Sequence, residues 1–168
     1  MRPRRLDAGF TLLEMGITLA VMAILATLAV PGSAARIERA RLESTAQTLA
    51  ADLGNARLEA AQRGLPLHVQ MQEGSNWCWA VSAQPGCDCS APAACQIHRV
   101  DAGRGTRLKL LDAHSVQLDP GGIATPTPVA TLQSGSGDRL RVSLTPLGRA
   151  RLCLEASATR AVWRLPAC

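Results

Sequence analysis

The hydrophobic pattern begins with one long apolar run near the N-terminus. Across residues 10–30 every side chain is apolar except for three threonines, one glycine and Glu14, the only charged residue of the run. A helix of this length rises about 1.5 Å per residue and so spans the ~30 Å hydrocarbon core of a bilayer. We therefore predict a transmembrane helix over residues 10–31, which Pro31 and Gly32 are expected to end or kink.

An amphipathic helix is predicted to follow over residues 32–64. Its apolar residues recur at alternating steps of four and three, which lays them along one stripe of an α-helix. Gly64 is typical of a helix C-cap, and Pro66 prevents the helix from continuing. We expect the stripe to pack on a sheet and the charged remainder of the helix to face solvent. The stripe consists of Leu42, Ala46, Leu49, Leu53, Ala56 and Ala60.

Short strands joined by turns are predicted from Leu65 onward, where apolar and polar residues alternate. Two loops interrupt them, a cysteine-rich loop near residues 84–96 and a Pro/Gly/Thr-rich loop near residues 121–128. The segment Thr145-Pro146-Leu147-Gly148 predicts a hairpin turn. A long helix followed by antiparallel strands makes an α+β fold. The predicted strands are 67–72, 76–83, 97–100, 106–111, 115–118, 130–133, 139–144, 149–155 and 161–165.

The six cysteines point to disulfide bonds. Arginines precede the apolar run and stay in the cytoplasm by the positive-inside rule, so the C-terminal region is expected in an oxidising compartment. Cys153 and Cys168 are expected to pair and to clamp the C-terminal segment. The other four can pair in three ways, and a Cys87–Cys89 bond is disfavoured because only one residue separates these two cysteines. These four are Cys78, Cys87, Cys89 and Cys95.

Catalytic and metal-binding chemistry is not expected. The chain has no Cys-x-x-Cys pair, and its three histidines lie far from zinc-finger spacing. Paired carboxylates, a nucleophile elbow and a phosphate-binding loop are absent from the sequence. We therefore predict that the protein is not an enzyme and uses no cofactor or metal. The histidines are His68, His98 and His114.

The residues around Gly9 carry a specific resemblance. A secretory signal peptide has its small-residue cleavage site after the apolar region, whereas Gly9 precedes it. The stretch Gly9-Phe10-Thr11-Leu12-Leu13-Glu14 closely resembles the leader junction of type IV pilins and type II secretion pseudopilins. This resemblance implies a leader peptide over residues 1–9, cleavage after Gly9 and N-methylation of Phe10 by a prepilin peptidase.

The same resemblance implies a filament subunit with a pilin-like fold, in which the long N-terminal helix packs on antiparallel sheet. Residues 10–31 would then span the inner membrane and later join the filament core, together with other pilin or pseudopilin subunits. Residues 65–168 would form a β-rich region in the periplasm or outside the cell. Glu14 would pair with the N-terminal amine of a neighbouring subunit. Because only a correctly staggered neighbour brings its amine to Glu14, this charge would set the stagger between adjacent subunits.

Among pilin-like proteins, the chain most resembles the FimT/GspH type of minor pilins and pseudopilins. The features it shares with them are the leader, a helix ending near Gly64, and a late Gly-Arg-x-Arg segment followed by two cysteines. That segment is Gly148-Arg149-Ala150-Arg151. The resemblance of this segment to FimT-like proteins implies that it binds double-stranded DNA for uptake in natural transformation.

Charge distribution supports a basic C-terminal surface. The whole chain carries +5 and the first nine residues carry +2, so the chain after Gly9 carries +3. Residues 139–168 alone carry +5, from six arginines and one acid, which leaves −2 for the remainder. If the predicted hairpin forms, up to four of these guanidinium groups share one face and can contact phosphates. The six are Arg139, Arg141, Arg149, Arg151, Arg160 and Arg164.

Two functional hypotheses remain open. The first is a minor pilin that binds DNA without sequence preference through its C-terminal arginines. The alternative is a GspH-like minor pseudopilin of a type II secretion system, with a structural or protein-binding role. Lys109 is the only lysine among 18 cationic side chains, so arginine is the default cation here and can serve solubility alone. Aromatic residues for base stacking are few, namely Phe10, Trp77, Trp79 and Trp163.

Overall fold

One long helix, α1, begins the described part of the chain. The computed structural model describes residues 11–103, 105–121, 128–156 and 164–168, and at residues 28–33 it describes the backbone alone. Helix α1 runs over Leu12–Arg63. Thr11 caps it, since the Glu14 N–H donates to the Thr11 hydroxyl at 3.2 Å. Glu14 thus lies in the first turn, where a carboxylate interacts favourably with the helix dipole. The helix ends before Gly64, whose φ of 67° is the left-handed conformation expected of a C-cap.

The helix does not end at Pro31 and Gly32, which was one of the two outcomes expected there. An interior proline removes one intrahelical hydrogen bond and costs about 3 kcal/mol. The long helical segments on either side keep their own backbone hydrogen bonds, so the helix continues through the proline. The predicted segments 10–31 and 32–64 therefore belong to a single helix where they are described.

The chain divides by its internal contacts into two units, Met1–Ile37 and Glu38–Cys168. In the first unit, the described side chains from Thr11 to Ile37 are all exposed. Among the described residues, no helix has the length and apolarity that crossing a membrane requires.

The second unit contains two four-stranded antiparallel sheets. Their strands, in chain order, are β1 Leu67–Gln72, β2 Cys78–Ser82, β3 Gln96–Asp101, β4 Lys109–Leu111, β5 Val116–Leu118, β6 Pro128–Gln133, β7 Arg139–Leu144 and β8 Ala150–Ala156. Sheet A has the strand order β3-β2-β1-β5, and sheet B has the order β4-β6-β7-β8. Eight of the nine predicted strands correspond to these elements, with shifts of a few residues at their ends. The ninth, 161–165, falls partly outside the described residues, and Arg164 and Leu165 are not in a strand.

The predicted apolar stripe of α1 forms one side of the core. All six of its residues are at most 2% exposed, which confirms the periodicity of the second half of the helix. Trp77 and Trp79 stack with ring centroids 5.2 Å apart and are also buried. The Trp79 indole donates to Asp52 Oδ2 on the helix at 2.8 Å, and the Trp77 indole donates to the Leu108 carbonyl at 3.2 Å. Both tryptophans therefore serve the core and cannot stack on bases.

All six cysteines form disulfides. The pairing that the sequence left open is Cys78–Cys89 and Cys87–Cys95. The Cys78–Cys89 bond ties the β2–β3 loop to β2, where Cys78, Ala80 and Cys89 form a small buried cluster. The Cys87–Cys95 bond joins two residues within the loop. The third bond joins Cys153 to Cys168, the pair expected from the sequence.

The C-terminal segment lies along the outer edge of β8. The Leu154 N–H donates to the Pro166 carbonyl at 2.8 Å, and the Cys168 N–H donates to the Leu154 carbonyl at 3.1 Å. Because β8 is an edge strand of sheet B, these bonds cover backbone groups that would otherwise be open to another chain. The Cys153–Cys168 bond keeps the segment in place.

Candidate nucleic-acid interface

The turn between β7 and β8 is closed by its own hydrogen bonds. The Thr145 N–H donates to the Arg149 carbonyl at 3.0 Å, and the Gly148 N–H donates to the Thr145 carbonyl at 2.8 Å. The Thr145 hydroxyl also accepts from the Arg149 N–H at 3.1 Å. Gly148 has a φ of 66°, a conformation that other residues adopt at a cost. The glycine of the Gly-Arg-x-Arg segment thus shapes the turn that carries Arg149.

The pairing of β7 with β8 decides which arginines share a face. Arg141 lies opposite Cys153, and Ser143 lies opposite Arg151. Residues directly opposite one another in an antiparallel pair project to the same side of the sheet. The alternate residues of both strands, including Leu140, Val142 and Leu154, are buried in the core. Arg139, Arg141 and Arg151 therefore lie on the outer face of sheet B.

The β7–β8 hairpin carries four arginines, and we call it the arginine hairpin. The four are Arg139, Arg141, Arg149 and Arg151. Three of them, all except Arg141, are exposed and have no acidic partner within the described residues. Arg149 lies in the turn just before β8. The structure thus brings together four of the six arginines singled out in the sequence.

Arg141 differs from the other three because it forms an ion pair with Glu155. Its Nη2 lies 2.5 Å from Glu155 Oε1, and the two side chains are 35% and 26% exposed. The Thr131 hydroxyl of β6 donates to the other carboxylate oxygen of Glu155 at 3.1 Å. Glu155 lies two residues beyond Cys153, the residue opposite Arg141, and is therefore a diagonal neighbour of Arg141. A β-bulge pairs Arg139 with Ala156 instead of with Glu155. Sequence reasoning counted this acid but missed its partner, because the contact depends on the strand register.

The remaining site residues proposed from sequence are not gathered here. Gly9, Phe10 and Arg160 lie outside the described residues, as does Trp163. Arg164 is described and exposed, in the segment that follows β8.

Lys109 is a cation on this face that sequence reasoning did not single out. It pairs with Gln133 of β6, and Gln133 pairs in turn with Arg139 of β7. The three side chains therefore form one row on the outer face, and Lys109 is exposed. The sequence signal for its orientation was the alternation Leu108-Lys109-Leu110, because two apolar residues that are buried leave the residue between them facing outward. No nearby residues predict the strand pairing that brings Lys109 into one row with Arg139, because that pairing joins strands far apart in sequence.

The fold defines the class of protein. An N-terminal helix packed on antiparallel sheets is the α+β fold of pilins, and the structure is similar to that of the type IV minor pilin FimU of Pseudomonas aeruginosa strain PAO1. That match has a TM-score of 0.52 and 20% sequence identity, and it covers 71% of this chain and 91% of FimU. A second crystal form of FimU gives a TM-score of 0.48 at 18% identity, over 68% of this chain and 92% of FimU.

Two family models match the chain. The model for the type II transport protein GspH matches residues 45–148, and the model for the prokaryotic N-terminal methylation motif matches residues 4–30. The chain belongs to the GspH family and is a minor pilin or pseudopilin. No curated protein matches it significantly. The predicted pilin-like α+β fold and the resemblance to this family are confirmed.

Proposed function

We propose that this protein is a minor type IV pilin that binds double-stranded DNA through the arginine hairpin, for uptake in natural transformation. The observation that carries the proposal is the β7–β8 pairing, because the paired strands and their turn carry three exposed arginines. None of the three has an acidic partner among the described residues. A guanidinium group presents two parallel N–H donors that match two phosphate oxygens. Such contacts attach to any DNA sequence because every nucleotide carries the same phosphate.

Binding by a single subunit is weak under this proposal. A surface that contacts about three phosphates loses roughly 40-fold in affinity between about 50 and 200 mM salt. Repetition of the subunit or its neighbours along a filament raises the effective affinity by multivalency. The proposal therefore places the useful DNA affinity in the assembled filament.

Assembly is proposed to use the N-terminus. The match of residues 4–30 to the methylation motif supports cleavage after Gly9 and methylation of Phe10 by a prepilin peptidase. The apolar run would then hold the subunit in the inner membrane before assembly. Glu14 is exposed in the first turn of α1, where the free amine of a neighbouring subunit can pair with it.

A second candidate function is that of a minor pseudopilin in a type II secretion system. The observation that favours it is the extent of the GspH match, which ends at residue 148. The match therefore stops before Arg149, Arg151 and the Cys153–Cys168 bond. Under this alternative the arginine hairpin contacts protein or solvent only.

The test is DNA binding by the full chain in a non-ionic detergent, measured by fluorescence anisotropy with a short duplex over a salt series. Replacing Arg149 and Arg151 with glutamine is expected to abolish most of the binding and to reduce the salt slope by about 2. A matched control, Arg41→Gln with Arg63→Gln, removes two exposed arginines from α1 and should leave both quantities unchanged. A folded wild-type protein that does not bind DNA at low salt would favour the pseudopilin role.

Removing the carboxylate of Glu155 should increase DNA affinity. Glu155→Gln keeps the shape of the side chain but ends the ion pair with Arg141, whose guanidinium then becomes available to a phosphate. Partly exposed ion pairs are worth up to about 1 kcal/mol, so the expected gain is about two- to fivefold at constant salt. Anisotropy titrations at one salt concentration measure it. An unchanged affinity would show that Arg141 takes no part in binding.

A further inference from the structure

The outer face of sheet B carries cations beyond the arginine hairpin. The row Lys109–Gln133–Arg139 crosses β4, β6 and β7, and the row Ser143–Arg151 joins β7 to β8. Resting on the proposed DNA-binding function, we propose that the contact surface extends across all four strands to Lys109 and accepts duplex in preference to single-stranded nucleic acid. We call this surface the basic face: Lys109, Arg139, Arg141, Arg149 and Arg151.

Strand geometry sets the size of the basic face. Neighbouring strands lie about 4.8 Å apart, so Lys109 is about 10 Å from Arg139 across β6. The rows of Arg139 and Arg151 are four residues apart along β7, which adds about 13 Å. The cations therefore spread over roughly 20 Å, whereas each strand of a duplex carries one phosphate per about 3.4 Å of axis. A stretch of about six base pairs matches this length.

The charges on these strands are nearly all of one sign. Four cations, Lys109, Arg139, Arg141 and Arg151, lie on β4, β7 and β8, and β6 carries no charge. Glu155 is the only acid among the residues of the four strands. Glu155 is already paired with Arg141. The side chains between the cations are neutral, and Gln133 and Ser143 carry hydrogen-bond donors that also suit phosphate oxygens. Apart from the paired carboxylate of Glu155, no described side chain on these four strands carries a negative charge that would repel a phosphate backbone.

Among the outward positions that the structure describes, the same face offers no platform for stacking bases. The described outward positions on β4, β6, β7 and β8 include no Trp, Tyr or Phe, and Trp77 and Trp79 are buried elsewhere. Proteins that bind single strands on a sheet combine cations with exposed aromatic rings on which the bases stack. A face with cations alone contacts the phosphate backbone, and the higher charge density of a duplex favours it. The expected ligand is therefore a duplex of any sequence.

Lys109→Gln is the variant that tests the extent of this surface. In the full chain, in non-ionic detergent, we expect a loss of affinity of about threefold or more and a decrease in the salt slope of about 0.9. Arg63→Gln removes one charge from the end of α1 and serves as the matched control, with no expected change. Lys109→Arg keeps the charge and should bind as the wild type does. Thermal melting verifies that each variant is folded.

Two results would overturn the inference while leaving DNA binding by the hairpin intact. In the first, Lys109→Gln binds as tightly as Arg63→Gln while the Arg149/Arg151 variant does not bind. In the second, a single-stranded oligonucleotide of equal length competes more strongly than the duplex. Wild-type protein that binds neither form would instead overturn the proposed function together with this inference.

Discussion

Replacing Leu49 with alanine should lower the unfolding free energy of the second unit by about 3 kcal/mol. Leu49 lies in the middle of the buried stripe of α1 and is fully inaccessible to solvent. Its loss removes apolar contacts and leaves a cavity that packed neighbours fill only in part. Denaturant unfolding followed by tryptophan fluorescence measures the change, because Trp77 and Trp79 belong to the same core.

Leu58→Ala is the matched control on the same helix. Leu58 is 60% exposed, so its removal should change the unfolding free energy by no more than about 0.5 kcal/mol. Both variants remove the same atoms and have the same effect on helix propensity, so their difference isolates burial. Equal losses in the two variants would contradict the assignment of the buried stripe.

Removing the Cys153–Cys168 disulfide should also cost about 3 kcal/mol. The two residues are 15 apart in sequence, and closing a loop of that length restricts the unfolded chain by about this amount. The variant replaces both cysteines with serine and leaves the two bonds of the β2–β3 loop in place. Denaturant unfolding under non-reducing conditions measures the loss.

Hydrogen exchange separates this effect from a general loss of structure. The Leu154 N–H donates to the Pro166 carbonyl, so it should exchange faster once the C-terminal segment is released. The amide of Leu132, on the central strand β6, should show only the change that follows from lower global stability. A variant with unchanged stability and unchanged exchange at Leu154 would show that backbone contacts alone hold the segment.

The arginine hairpin could largely be predicted from the sequence. The turn chemistry around Gly148 and the alternation of apolar residues on both sides indicate two paired strands and the faces of their arginines. These signals are local, because both the turn and the period of two are contained in a few residues. The ion pair of Arg141 with Glu155 was not predictable, since a β-bulge shifts the register by one residue.

The sequence by itself determined the buried stripe of α1, its end before Gly64, most of the strands and the family of the N-terminus. Each of these depends on residues a few positions apart, where the period of the backbone and the chemistry of caps and turns act directly. Only the tertiary structure decided the pairing of the four clustered cysteines, the burial of Trp77 and Trp79, and the row that joins Lys109 to Arg139. The cysteine pairing depends on the path of the β2–β3 loop, which has no regular period. The other contacts join distant parts of the chain, and their geometry follows from how the two sheets and the helix pack as a whole.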